Sequence, residues 1–210
     1  MMPLVKICGI TSAHDARLAV SAGASAIGLV FWPSSPRAVD VARAREIVAA
    51  VPAFVSVVGV FVNQVEEAKQ IAAELGLSAV QFHGDETPDQ CRGCGVRVIK
   101  SVAVRDRSAI DAALAVADDV TVLLDAHDPI KRGGTGNAID WSVAREVARR
   151  RFTILSGGLT PDNVGEAIAA VQPWAIDVSS GVEQAPGRKD PAKVLALFAA
   201  VGQRAELKGR

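Results

Sequence analysis

A thiol, a carboxylate and two glycine-rich turns are the parts of this chain that could do chemistry. Cys8 ends the short apolar run Leu4-Val5-Lys6-Ile7-Cys8 and is followed by Gly9 and a helix-start signal, Thr11-Ser12. A reactive side chain at the carboxyl end of a buried parallel strand is where α/β proteins place their chemistry. A thiolate there can act as a base, although free cysteines are also often small buried hydrophobes. Asp125 ends the run Thr121-Val122-Leu123-Leu124. Shielding from water suits a general acid, and the same carboxylate could instead cap the next loop or pair with Lys6. Ser156-Gly157-Gly158 and Ser179-Ser180-Gly181 also follow apolar runs. Backbone N–H groups converging from two such turns, with a short helix starting near Ser180, make a phosphate seat. The alternative is two tight turns that simply need glycine.

Other candidates carry less. Lys6 shares a strand face with Cys8, and a buried ammonium there needs an acidic partner, Asp125 or Asp177. Cys91-Arg92-Gly93-Cys94 has no two further ligands nearby and reads as an ordinary helix end, so no metal site is expected. Lys100 could form a Schiff base, but an ion pair at a strand rim is the preferred reading. Gly133-Gly134-Thr135-Gly136 lacks Walker spacing and reads as a mobile loop beside the site. Arg149-Arg150-Arg151 suits a helix carboxyl end and nothing more. His14 and His127 read as exposed helix and loop residues.

These groups need a frame, and the apolar pattern supplies one. Eight short runs rich in Val and Ile stand at 4–8, 26–31, 55–62, 79–82, 96–99, 120–124, 153–155 and 175–178. Near-continuous runs of this kind are strands buried on both faces of a parallel sheet. Helical spacing fills the intervals at 13–22, 41–50, 65–75, 108–117, 141–149, 162–170 and 191–201. Around Thr87–Cys91 the helix is short and broken. Ser12, Thr160-Pro161 and Asp190-Pro191 supply caps. Strict alternation predicts an α/β fold, a single-domain (β/α)8 TIM barrel over residues 1–210, with an open doubly wound sheet as runner-up. In that barrel Arg37, Asn63, His83 and Asp85 join Cys8, Lys100, Asp125 and the glycine turns just past the strands.

Composition limits the partners. Half of the 210 residues are hydrophobic and 22% are charged, as in ordinary soluble globular proteins. Lys plus Arg equals Asp plus Glu, so nothing favours nucleic acid or an anionic membrane. The longest apolar stretch, 51–62, is too short and interrupted to span a bilayer, and no signal peptide is seen. Three cysteines suggest a reducing compartment and a cytoplasmic protein.

The ordered blocks also resemble a known family. They are Lys6-Ile7-Cys8-Gly9-Ile10-Thr11, Ser35-Pro36-Arg37, Gly59-Val60-Phe61-Val62-Asn63 and Val80-Gln81-Phe82-His83-Gly84-Asp85, then Leu124-Asp125 and Gly133-Gly134-Thr135-Gly136 with Asp140-Trp141. Ser156-Gly157-Gly158-Leu159 and Asp177-Val178-Ser179-Ser180-Gly181-Val182-Glu183 complete the set. Together they are similar to phosphoribosylanthranilate isomerase from residue 5 to about 200. The resemblance implies a (β/α)8 barrel of tryptophan biosynthesis that works without a cofactor. The implied reaction is the Amadori rearrangement of N-(5-phosphoribosyl)anthranilate, with Cys8 as base and Asp125 as acid. Arg37 is implied to bind the anthranilate carboxylate or steady the base, His83 to bind substrate and Asp177 to hold a ribose hydroxyl. Gly157, Gly158, Ser179, Ser180 and Gly181 are implied to hold phosphate. The thiol would then need a lowered pKa, with Lys6 or Arg37 as the cation that lowers it. The implied partner is a phosphorylated small molecule, for a monomer or homodimer. A related phosphate-binding barrel, such as indole-glycerol phosphate synthase or an aldolase, and a non-catalytic phosphate-binding barrel are the competing readings.

Overall fold

The computed structural model describes residues 2–87, 89–91, 93–126 and 139–207, with side chains through residue 202. Eight parallel strands close into a barrel in sequence order. They are β1 (Leu4–Cys8), β2 (Ala26–Val30), β3 (Ser56–Phe61), β4 (Ala79–Phe82), β5 (Arg97–Val104), β6 (Thr121–Ala126), β7 (Thr153–Leu155) and β8 (Ala175–Val178). Pairing of β1 with β8 seals the barrel, with Lys6 opposite Asp177. Seven helices are described: α1 (Ala13–Ala22), α2 (Val41–Val48), α3 (Val65–Leu75), α4 (Ser108–Leu114), α5 (Trp141–Ala148), α6 (Val164–Val171) and α7 (Pro191–Leu207). A small hairpin, β9 (Glu183–Ala185) with β10 (Arg188–Lys189), follows β8.

The strands are apolar on both faces because both are covered. Val58, Ala79, Ile99, Leu123, Ile154 and Ala175 fill the lower barrel interior. Ile7, Ile27, Leu29, Val80 and Leu124 face outward to the helices, whose buried positions are largely alanine, such as Ala16, Ala19, Ala44, Ala68 and Ala72. Burial of such side chains, at roughly 25 cal/mol per Å² of apolar surface, is the main force closing the barrel. Small side chains let the helices lie close to the wall.

Caps set the helix starts. Ser12 Oγ accepts from Asp15 N (3.1 Å), and Asp190 Oδ1 accepts from Ala192 N (2.9 Å) and Lys193 N (3.2 Å). Thr160-Pro161 does not open α6. Asn163 Oδ1 takes Thr160 N (2.8 Å) and its Nδ2 donates to Gly158 O (2.8 Å), folding the chain into a turn until Val164. No helix separates β4 from β5 among the described residues. The chain turns there, and Cys91 and Cys94 are buried free thiols rather than a helix end. Lys100 lies inside β5, not at its end, and its ammonium pairs with Glu86 Oε2 at 2.9 Å. Arg151 exceeds its expected role. Its guanidinium donates to the carbonyls of Ala113, Val116, Ala117 and Val120, which ends α4 at Leu114 rather than Ala117. His14 is exposed, as expected. Gly133–Gly136 and His127 lie outside the described residues.

Among the described residues, no helix is long and apolar enough to cross a membrane. None of their His, Cys, Asp or Glu side chains gather in a group of three or more that could hold a metal ion.

Candidate active site

The carboxyl ends of the strands carry a polar layer above the apolar interior. Lys6 Nζ, from β1, donates to Asp177 Oδ1 on β8 (2.9 Å) and to Gln81 Oε1 on β4 (3.0 Å). Asp177 is therefore the acidic partner that Lys6 required. Two residues along the same face stands Cys8. A Cβ at Gly28 of β2 would lie 2.7 Å from Cys8 Sγ and 3.1 Å from Lys6 Cε, so only glycine leaves room for both side chains. Val30 and Val60 pack with Cys8, and Trp32 packs against that cluster.

The shift of the thiol runs against the expected direction. Burial pushes the Cys8 thiol up, Lys6 and Lys189 pull it down, Asp177 opposes them, and the thiol ends above its ordinary value. Desolvation outweighs the cations because Lys6 is already committed to Asp177. Burial alone would lower the Lys6 ammonium, but Asp177 and Cys8 hold it above the usual lysine range.

Across the barrel mouth, Asp125 is 4% exposed near the end of β6. Its Oδ1 accepts from Ala126 N at 2.8 Å. Its Oδ2 lies 3.2 Å from His83 Nε2, and His83 Nδ1 lies 3.0 Å from Gln81 Nε2. His83, expected to bind substrate, thus lies against the candidate acid.

The two glycine turns meet beside that acid. Asp125, Asp177, Ser156, Gly157, Gly158, Leu159, Ser179 and Ser180 line one cleft. Any Cβ at Gly181 would run into Leu159 O, so glycine is what allows the turn after β8 to seat against the turn after β7. Gly157 and Gly158 both adopt left-handed backbone, at φ +87° and +64°. The helix expected near Ser180 is a single 3-10 turn, Ser180–Val182.

Known proteins resemble this chain over nearly its whole length. The model of the N-(5'phosphoribosyl)anthranilate (PRA) isomerase family matches residues 5–200. The chain belongs to this isomerase family. An N-(5'-phosphoribosyl)anthranilate isomerase from Trichlorobacter lovleyi is 51% identical over 192 residues, 90% of this chain and 93% of the relative. The crystal structure of phosphoribosyl anthranilate isomerase from Thermotoga maritima is 41% identical at a TM-score of 0.90, covering 96% of this chain and all of that one. A crystal structure of the isomerase in complex with reduced 1-(o-carboxyphenylamino)-1-deoxyribulose 5-phosphate is 40% identical at a TM-score of 0.86, with the same coverage.

In this isomerase-family chain the Cys8 side of the mouth is locked by Arg37 together with two residues that strand-end reasoning missed, Glu183 and Lys189. Arg37 donates to Glu183 through Nε (2.9 Å) and Nη2 (2.7 Å), a bidentate pair. Lys189, whose side chain is fully buried, donates from Nζ to Glu183 Oε1 (2.8 Å), Cys8 O (2.6 Å) and Ser179 O (3.3 Å). One ammonium thus ties the end of β1 to the turn after β8. Burial alone would raise the Glu183 carboxyl, but Arg37 and Lys189 outweigh it and hold it below the ordinary carboxylate range. Burial pushes the Lys189 ammonium down despite Glu183. Lys189 sits in the β9–β10 hairpin, ten residues past Ser179, where no strand-end rule points. Its signal is weak: a charged residue beside Asp190 in a stretch with no apolar period. Lys189→Met strands three acceptors in the interior and should cost about 3 kcal/mol. Thermal unfolding should then show Tm lower by roughly 6–12 °C.

Proposed function

We propose that this isomerase converts N-(5-phosphoribosyl)anthranilate into 1-(2-carboxyphenylamino)-1-deoxyribulose 5-phosphate, the Amadori step of tryptophan biosynthesis, in the cytoplasm. We assign Asp125 as general acid and Cys8 as general base, in one domain that needs no cofactor. The observation that carries this reading is the cleft in which a buried carboxyl, Asp125, adjoins the paired turns at Ser156–Leu159 and Ser179–Ser180.

The substrate has a phosphate at one end, an aromatic ring at the other and a ribose between them. Backbone N–H groups of the two turns suit the phosphate. The apolar surface of Val30, Val60 and Trp32 beside Cys8 suits the aromatic ring. The ribose then lies between Cys8 and Asp125, where the Asp177 carboxylate can accept a ribose hydroxyl.

Asp125 gives its proton to the ring oxygen as the bond from that oxygen to C1 breaks. The anthranilate nitrogen lone pair forms a C1–N double bond, leaving an iminium ion. That cation acidifies the hydrogen on C2. The Cys8 thiolate takes it, the C2–H electrons form a C1–C2 double bond, and nitrogen recovers its lone pair. Protonation of C1, with loss of the proton from the C2 hydroxyl, converts the resulting enolamine to the ketone. The substrate's nitrogen is the electron sink, and each positioned acid or base supplies roughly 10²–10⁴-fold. With Nε and Nη2 of Arg37 on Glu183, its steadying role beside the base is the one the geometry favours.

The direct test follows the fluorescence of phosphoribosylanthranilate generated in place. Enzyme-dependent loss of signal, with the carboxyphenylamino-deoxyribulose phosphate as product, is the expected result. A borohydride-trapped adduct on Lys6 or Lys100 would instead favour a Schiff-base barrel enzyme.

A further inference from the structure

Gln81 lies inside the barrel, 1% exposed, with its carboxamide held between two groups that dictate its orientation. On one side is Lys6 Nζ at 3.0 Å. An ammonium only donates, so the atom facing it is Oε1. The amide nitrogen therefore faces away, 3.0 Å from His83 Nδ1. An amide NH2 also only donates, so Nδ1 accepts and bears no proton. In the neutral imidazole the proton then resides on Nε2. Nε2 stands 3.2 Å from Asp125 Oδ2 and 3.5 Å from Ser101 Oγ. A directed chain of hydrogen bonds runs from Lys6, beside the thiol, through Gln81 to His83, whose Nε2 abuts Asp125 Oδ2.

We infer that Gln81 is a positioning residue for the acid: by fixing His83 as the Nε2–H tautomer, it bars Asp125 from giving its proton to the imidazole and keeps that proton for the substrate. The inference rests on the assignment of Asp125 as acid. In the opposite tautomer Nε2 would accept, and the Asp125 O–H would be spent on it. In the tautomer that Gln81 imposes, Oδ2 faces the His83 N–H at 3.2 Å and Oδ1 accepts from Ala126 N. The acidic proton is left to a lone pair that neither bond uses. As it departs, the Ala126 N–H already binds the forming carboxylate and the His83 N–H lies beside it, which stabilises the developing charge without reorganisation.

The chain has three histidines, so the His83 ring nitrogens can be read cleanly. In long-range 1H–15N spectra of histidine-labelled protein, His83 Nδ1 should give an unprotonated, pyridine-type signal and Nε2 a pyrrole-type one. Gln81→Glu keeps the acceptor for Lys6 but presents another to Nδ1, which must then carry a proton. The ring becomes either a cation, which holds Asp125 as a carboxylate, or the opposite tautomer, which accepts the acid's proton. Both deprive the substrate of that proton. Nδ1 should turn pyrrole-type and kcat should fall about tenfold or more, with KM within about threefold. Gln81→Met adds no charge and leaves Lys6 on Asp177. It should shift Nδ1 part of the way and lower kcat less. A protonated Nδ1 in the unaltered protein would overturn the inference whether or not the variants fold. So would Gln81→Glu turning over within twofold of the unaltered protein. Full turnover in Asp125→Asn would instead remove the acid on which the inference stands.

Discussion

Asp125→Asn should lower turnover by about 10²–10⁴-fold while inorganic phosphate still competes for the site with an inhibition constant within about threefold. The substitution changes little in shape. The carboxamide oxygen can keep the bond that Asp125 Oδ1 accepts from Ala126 N, and the backbone of β6 stays paired. What is lost is the proton. An amide has none to give at neutral pH, so the ring oxygen would leave as an alkoxide, a much poorer leaving group. The amide nitrogen would also face His83 Nε2, replacing an acceptor by a donor where Gln81 has fixed a donor opposite. The proposed phosphate seat consists of backbone and hydroxyls on the turns after β7 and β8, none of which depends on Asp125 ionisation. The loss should therefore fall on kcat. Turnover near that of the unaltered protein would remove Asp125 from the mechanism. A parallel loss of phosphate affinity would assign it to binding rather than chemistry.

The barrel was legible because buried parallel strands write near-continuous apolar runs. β1, β4, β7 and β8 begin and end where those runs do. The run at 96–99 stopped short of β5 because Lys100 and Ser101 break the apolar pattern, and Glu86 Oε2 and Gly84 O, brought over by the preceding loop, satisfy Lys100 there. The cap at Thr160-Pro161 lost to Asn163, whose side chain binds backbone on both sides and delays the helix. At the site, strand-end logic located Cys8, Asp125, His83 and the glycine turns. It did not join His83 to Asp125, because cross-barrel distance is not a property of spacing. Gln81 did leave a signal. A polar side chain inside the apolar run Ala79–Phe82 must find buried partners, as must Lys6 in the run of β1. Those two residues bond each other across the barrel. The direction of the thiol's shift was not readable at all. It depends on how completely Asp177 neutralises Lys6 and how dry Cys8 is, and sequence reports neither.

That direction makes the second large effect pH-dependent. Cys8→Ala should lower kcat by about 10²–10⁴-fold, because no other group stands on its side of the mouth in the assigned role. In the unaltered protein the base works only as thiolate. Burial holds the thiol above its ordinary value of about 8.5, so the neutral thiol predominates at pH 7. The sign follows directly for the thiol: its thiolate fraction should rise with pH from neutrality through about 8.5, nearly tenfold per unit on this limb, rather than level off at pH 7. Inactivation by iodoacetamide should climb along the same limb, since the thiolate is also the form that alkylates. Cys91 and Cys94 are pushed up by burial as well, so the Cys8→Ala protein supplies the background labelling rate. Peptide mapping assigns the remainder to Cys8. A plateau already reached at pH 7 in the inactivation profile would mean that Lys6 and Lys189 outweigh desolvation, and Cys8 would then be a weaker but fully ionised base. Near-normal turnover in Cys8→Ala would leave the proton on C2 to another group, and the apolar cluster with Val30 and Val60 would be the whole reason for a thiol at this position.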